Sequence, residues 1–296
     1  MYDVLNSPGE AGMSTSDGGL VTLPVVQRPK PTWEHAPVLH HEPLGDRYRA
    51  LRLQAPKIAI SAQPGQFVML TVARRGEATP ALPRPMAVYR RDRGAGTVDV
   101  LYGIDGDGTR KLAGFQPGEE ILVVGPLGRG FTIDSHIRSV LLLGRGIGTC
   151  SLTTVAQDNA ARGVDTIAVT SARQEDALIG TETYREFGAK AVYSVTDTDN
   201  TSSPDALLAT LTEDWDQQPP QLIMVCGSQR LTSLGVELAR RWAAELQVSL
   251  EAHMACGLGY CHGCASGARS EGEESPLICA DGPVFGWRFD EAERVV

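Results

Sequence analysis

Four cysteines near the C-terminal end constrain this chain more than any other feature. Cys256, Cys261 and Cys264 stand in a C-x4-C-x2-C spacing within MACGLGYCHGCASG, and Cys279 follows in LICADGP. A loop that wraps thiolates around one inorganic centre must turn backbone N–H groups inward against their negative charge. The glycines interleaved among these cysteines permit that. The spacing is that of a plant-type [2Fe–2S] site with a distal fourth thiolate. Zinc sites more often use two C-x2-C pairs, and unconnected thiols give no reason for four of the six cysteines to fall after residue 250. His253 and His262 lie in the same stretch, but the cysteines already complete a ligand set. The sequence therefore assigns a [2Fe–2S] cluster to Cys256, Cys261, Cys264 and Cys279.

Length, charge and patterning bound what surrounds such a centre. Its 296 residues leave room for two ordinary domains and a small third. A net charge of −9 argues against a nucleic-acid or anionic-membrane partner, which a basic surface would recognise. No apolar run approaches the roughly 20 residues that span a bilayer. The opening MYDVLNSPGEAGMSTSDGG has no basic stretch leading into an apolar one, so a cytoplasmic location is expected. Residues 1–35 are rich in Ser, Gly, Pro and Asp without a period, which predicts a mobile tail. From 36 to 134, RYRALRLQAP, GQFVMLTVAR, RPMAVYRR, TVDVLYGI and EEILVVGPLG read as short strands between turns, a small antiparallel barrel. From 135 to 247, apolar strands alternate with helical patterns, as in a Rossmann-like parallel sheet. Residues 248–296 form the thiol module. The expected fold is thus multidomain β plus α/β.

SLEAHMACGLGYCHGCASG and ICADGPVF, placed behind a barrel and a nucleotide-type domain, resemble the electron-transfer subunit of class B dihydroorotate dehydrogenase, within the ferredoxin reductase superfamily. The resemblance spans about residues 36–288 and implies FAD in the barrel, NAD(P) at the α/β domain and the cluster at the end. In that family an Arg-Pro strand runs along the flavin. Here it is Arg84, Pro85, Met86, Ala87 and Val88, with the arginine kept for the pyrophosphate and Ala87 standing where a hydroxyl is usual. Leu101, Tyr102 and Gly103, followed by Gly106, Gly108 and Thr109, match the second flavin element, where backbone amides meet phosphate at a helix start. Hairpin turns of a barrel without ligand are the plain alternative.

In LLLGRGIGTCS, the residues Gly144, Gly146, Gly148 and Thr149 fit the nucleotide turn, with Arg145 in place of a small residue and Ser151 where proline is common. Arg145 either obstructs the pyrophosphate or points away and adds a cation. VCGSQRL resembles a V-x-C-G-P motif, with Ser228 for proline. That likeness places Gly227 at the nucleotide and makes Cys226 the catalytic candidate beside the hydride path; a buried core thiol is the alternative. Arg173 ends the second strand, where a ribose or its 2′-phosphate is read, unless it is simply exposed.

The resemblance implies a relay in which a nicotinamide nucleotide, FAD and the cluster exchange electrons with an FMN-containing dehydrogenase catalytic subunit in a hetero-oligomer. NAD and NADP both fit. Phe285 and Trp287 belong either to that interface or to the module's own core. The rival readings are a reductase subunit of another oxidoreductase complex, a redox-sensing or assembly subunit without NAD(P) turnover, and a zinc-stabilised binding module.

Overall fold

The computed structural model describes residues 14–15, 18–24, 28–267 and 274–289. Ser14–Thr15 (β1) and Gly18–Thr22 (β2) are the first described strands and belong to the second of two sheets. The first sheet uses β3 (Thr32–Leu44), β4 (Tyr48–Gln54), β5 (Phe67–Thr71), β6 (Arg84–Ala87), β7 (Arg90–Asp92), β8 (Thr97–Gly103) and β9 (Glu120–Leu127). Their order is β6-β5-β9-β3-β4-β8-β7, antiparallel throughout. Only Val88 and Tyr89 separate β6 from β7, which pair with opposite ends of the sheet. One short segment therefore bridges both edges and closes a barrel, which removes exposed edge strands. Alternation drives it: in β4, Leu51 and Leu53 are buried while Arg52 between them is exposed. Short helices α1 (Pro56–Ser61) and α2 (Asp107–Leu112) contribute Ile58 and Leu112 to its core.

The second sheet is built from β10 (Ser139–Arg145), α3 (Thr149–Arg162), β11 (Asp165–Ala172), α4 (Thr181–Glu186), β12 (Ala191–Thr196), α5 (Pro204–Trp215), β13 (Leu222–Cys226), α6 (Gln229–Trp242) and β14 (Glu245–Ser249). Its five strands run parallel in the order β12-β11-β10-β13-β14. Continuous apolar runs explain the burial: Leu141, Leu142 and Leu143 of β10, and all of β13, are inaccessible because helices cover both faces. The chain reverses its direction of winding between β10 and β13. That reversal opens a crevice at their C-terminal ends, where doubly wound sheets take ligands.

β15 (Val284–Arg288) joins β14 antiparallel, and β2 pairs with β15 in turn, Leu20 opposite Trp287. The stretch expected to be a tail thus differs in part: residues 18–22 extend this sheet and 32–35 lie in β3. An edge strand with a buried tryptophan needs an apolar partner, and Leu20 packs against that core. Residues 1–13 lie outside the described residues. The sheets are locked together by Arg91, 4% exposed, which donates to both carboxylate oxygens of Asp158 on α3 (2.7 and 2.6 Å), and by the Tyr89–Thr183 hydroxyl pair. Among the described residues no helix is long and apolar enough to cross a membrane.

Candidate functional site

Residues 250–267 and 274–283 lie outside the sheet between β14 and β15, the two ends joined by a bond from Leu250 N to Pro283 O (2.9 Å). This excursion carries the thiols. Its apolar underside, Cys264, Ile278 and Cys279, packs with Phe285 of β15 on Phe67 and Met69 of β5 and Leu127 of β9. Phe285 and Trp287 are both buried, so they serve the molecule's own core. Leu258 and Tyr260, 57% and 89% exposed, face solvent instead.

The thiols fall into two pairs. Cys264 and Cys279 are buried and interact through their side chains, with Cys279 N donating to Cys264 Sγ (3.4 Å). Cys256 and Cys261 interact in the same way nearer the surface. Leu258 N donates to Cys256 Sγ (3.4 Å) and Gly259 N to Cys279 Sγ (3.1 Å). Burial works against ionisation of Cys256, but N–H groups of Leu258, Cys261 and Tyr260 and the Cys261 thiol outweigh it and bring the pKa down to about 6. Burial, then the neighbouring Cys264, pushes Cys279 up to about 12, so this inner pair needs a bound cation to ionise fully.

Among the described residues no three thiols lie within 4.8 Å of one another, nor does any such group include His253 or His262. A tetrahedral zinc would draw all four sulfurs to about 3.8 Å apart, given a Zn–S bond of about 2.3 Å. Four thiols in two interacting pairs fit a two-iron centre in which each iron takes two thiolates.

The Arg-Pro strand lies beside this module. β6 pairs with β5, Pro85 opposite Met69, so one strand spacing of about 4.8 Å separates it from the strand on which the thiol loop packs. Arg84 folds over the first turn of α2: a Cβ on Gly108 would meet its Nε, Cζ and Nη2 at 2.0, 2.2 and 2.2 Å. Gly106 caps that helix, and Thr109 Oγ1 accepts from Asp105 N and Gly106 N. A guanidinium stacked on open backbone amides is a cradle for pyrophosphate. Met86 and Val88 turn into the barrel core, whereas Ala87 and Leu101 line the seam towards the second sheet with Tyr89, Cys150 and Ile179. Tyr102 differs from the sequence expectation. Its side chain is 2% exposed and its hydroxyl lies 2.6 Å from His41 Nε2, so only its backbone and that of Gly103 at the end of β8 are left to face a ligand.

At the crevice of the second sheet, Gly144 lies opposite Cys226 in register. Gly146 adopts φ +52°, and Gly148 rests directly on Gly227. Thr149 opens α3, its Oγ1 buried without a partner among the described residues. Cys226 is 1% exposed, and burial, then Glu251, pushes its thiol up to about 12. It is a neutral group, hydrogen-bonded to Ser151 and Ser249, and is no nucleophile. Ser228 has a structural role: its hydroxyl accepts from Leu231 N (3.4 Å) as the N-cap of α6. Arg145 points along the strand ends, away from the turn. It donates to Ser171 Oγ (2.8 Å) and to both carboxylate oxygens of Asp197 (3.2 and 2.7 Å). Arg173 follows β11 and is exposed.

Two residues escaped the sequence reading. Asp197 sits after β12 in a threonine-rich turn that carries no motif by itself. Glu251, the residue before the thiol loop, is exposed to solvent yet set deeply enough among protein to raise its carboxyl pKa, and it acts on both Cys226 and Cys150. The available signal was an acid placed directly after a buried strand and between two motifs.

Solved structures define the class first. The chain resembles that in "Insights into flavin-based electron bifurcation via the NADH-dependent reduced ferredoxin-NADP oxidoreductase structure" with a TM-score of 0.69 at 24% identity, over 87% of this chain and 91% of that one. It also resembles the "Ferredoxin reductase in carbazole 1,9a-dioxygenase" with a TM-score of 0.56 at 16% identity, over 71% and 66%. The fold is therefore of the ferredoxin reductase type. Residues 251–288 match the iron-sulfur cluster binding domain of dihydroorotate dehydrogenase B. Proteins named dihydroorotate dehydrogenase B (NAD(+)), electron transfer subunit, are similar along nearly the whole chain: that of Listeria monocytogenes serotype 4b is 30% identical over 86% of this chain and 96% of its own length. That of Geobacillus thermodenitrificans is 30% identical over 85% and 96%. The chain belongs to this family of electron transfer subunits.

Proposed function

We propose that this chain relays electrons between a nicotinamide nucleotide and the FMN-containing catalytic subunit of a dihydroorotate dehydrogenase, with FAD in the barrel of residues 36–134, the nucleotide on residues 135–247 and a [2Fe–2S] cluster on residues 248–296. The observation that carries the reading is the packing of the paired thiols on β5, the strand next to the one that bears the Arg84 cradle. FAD exchanges electron pairs with nicotinamide and single electrons with an iron–sulfur centre, which is the chemistry the relay needs.

The chain's own groups do the rest. Arg84 and the amides at the start of α2 hold pyrophosphate, and the small side chain of Ala87 with Leu101 forms an apolar floor at the seam between the sheets. The turn from Gly144 to Gly148 admits the nucleotide's phosphates at the crevice, beside the neutral Cys226. Glu251, with its raised pKa, retains a proton more readily than an ordinary carboxylate. Cys256, Cys261, Cys264 and Cys279 anchor the cluster on the barrel wall. The reading also places the protein in the cytoplasm, where thiols stay reduced and free to bind iron.

Anaerobic titration of the purified protein with NADH and then NADPH tests this, with iron and flavin analysis alongside. Bleaching of both flavin and cluster absorbance is the expected result; a protein with both groups that neither nucleotide bleaches would remove the nicotinamide from the relay. Leu258 and Tyr260 form the apolar tip beside the thiols. Tyr260→Ala is expected to weaken association with the catalytic subunit by about tenfold, as a buried aromatic anchor does. Iron content and reduction by nucleotide should not change, and a stopped-flow measurement of transfer to the partner reads the difference.

A further inference from the structure

The barrel reaches across to the turns of the second sheet through its β3–β4 hairpin. A Cβ on Gly45, in that hairpin, would lie 3.4 Å from Asp176 O in the turn after β11. A Cβ on Gly146 would lie 3.7 Å from the hydroxyl oxygen of Tyr48, with no other atom beyond its chain neighbours within 4 Å. Tyr48 heads β4 directly opposite Gly103, whose backbone belongs to the flavin element. Its ring packs in the seam on the cluster of Tyr89, Leu101 and Cys150. One barrel residue thus adjoins both the strand end that faces flavin and the glycine turn of the crevice.

The ring and the hydroxyl of Tyr48 have different surroundings. Apolar contacts hold the ring, whereas the hydroxyl has no hydrogen-bond partner among the described residues. A tyrosine O–H set into a protein usually finds one. Packing does not require this group, since phenylalanine would fill the same seam. Burial pushes the phenol pKa up against the pull of Arg47 and Arg145, so the hydroxyl stays protonated and able to donate. Glycine amides at the start of α3 suit an anion. With Arg145 turned away to Ser171 and Asp197, the side-chain donor over Gly146 comes from the barrel.

We infer that Tyr48 is a binding residue for the nicotinamide nucleotide: its hydroxyl donates to a pyrophosphate oxygen lying on the turn from Gly144 to Gly148, so that the barrel supplies one wall of a site otherwise built by the second sheet. A phosphate held from both sides is fixed relative to the barrel as well as to the crevice. Alignment of a nicotinamide with a flavin bound in the barrel requires that. The inference deepens the proposed relay and rests on the crevice being the nucleotide site.

Calorimetry on the full protein, loaded with flavin and cluster, measures NAD(+) binding in the wild type and in Tyr48→Phe, which keeps the packed ring and removes only the hydroxyl. Kd should rise about tenfold, as expected for a lost hydrogen bond to a charged group. Anaerobic stopped-flow reduction of the flavin reads the same contact a second way, with NADH set against 1-benzyl-1,4-dihydronicotinamide, a hydride donor that carries no phosphate. The ratio of the two second-order rate constants should fall about tenfold in the variant, a change that a merely structural hydroxyl would not produce. A wild-type Kd and ratio in Tyr48→Phe overturn the contact while leaving the crevice as the nucleotide site. A ratio that holds while both rates fall puts the hydroxyl's effect on the flavin and overturns the contact too. Absence of NAD(+) binding to either protein overturns the nucleotide reading and the contact with it.

Discussion

Serine in place of Cys264 strips the iron from this protein and stops electron delivery to a partner, while flavin remains bound. Cys264 is 3% exposed, and its sulfur receives the N–H of Cys279 at 3.4 Å within the inner thiol pair. A serine oxygen is harder and less readily ionised than a thiolate, and the buried site offers it no compensation. The same residue anchors the loop: its carbonyl accepts from Ile278 N (3.0 Å), and its side chain belongs to the apolar contact with Phe67 and Met69. Transfer to the partner should fall by about three orders of magnitude or more, because the cluster is the exit from the relay. Arg84 lies on β6 and makes no part of this contact with Phe67 and Met69 of β5, so reduction of flavin by nucleotide should survive. Iron analysis, visible absorbance and partner reduction, measured on one preparation, check all three parts. Full iron content in the variant would mean that the ligand set is misassigned.

Much of this site was legible in the chain because its chemistry depends on spacing. C-x4-C-x2-C with a distal cysteine is a local pattern, and a strand, a glycine turn and a helix in succession announce a crevice before any fold is known. Side-chain direction was not legible. Arg145 read equally well as an obstruction or as a cation, and only its reach across Ser171 to Asp197, 52 residues on in the chain, decides for the cation. Tyr102 shares a strand with Leu101, yet strand alternation sends the two to opposite faces, one to the barrel core and one to the seam. Leu20 carries no periodic signal in its Gly- and Ser-rich surroundings. It becomes a strand residue because β15 leaves an edge to be covered, which is a tertiary demand. Ser228 departs from the family motif without loss of structure, since a serine caps α6 where proline would have started it.

Alanine at position 148 should abolish nucleotide binding while leaving flavin and cluster in place. A Cβ on Gly148 would lie 2.7 Å from Gly227 Cα and 2.9 Å from the carbonyl carbon and oxygen of Cys226. Every one of these atoms is backbone, so no side chain can rotate away. Gly227 cannot retreat either: it holds φ +127° with its own missing Cβ only 2.5 Å from Arg145 O. The two turns at the crevice interlock, one following β10 and the other β13, and separating them would move both away from the place where phosphates must approach the backbone. Overpacking of this kind costs about 1–3 kcal/mol of stability. The effect on nucleotide affinity should be larger, about a hundredfold or more, because a shift of about 1 Å at such a turn displaces the positioned ligand. Calorimetry with NADH and NADPH measures the affinity, and thermal unfolding the stability. Wild-type affinity in Gly148→Ala, with flavin and iron intact, would show that the dinucleotide lies elsewhere on the sheet. Loss of affinity with an otherwise loaded protein would tie hydride entry to the contact between these two glycines.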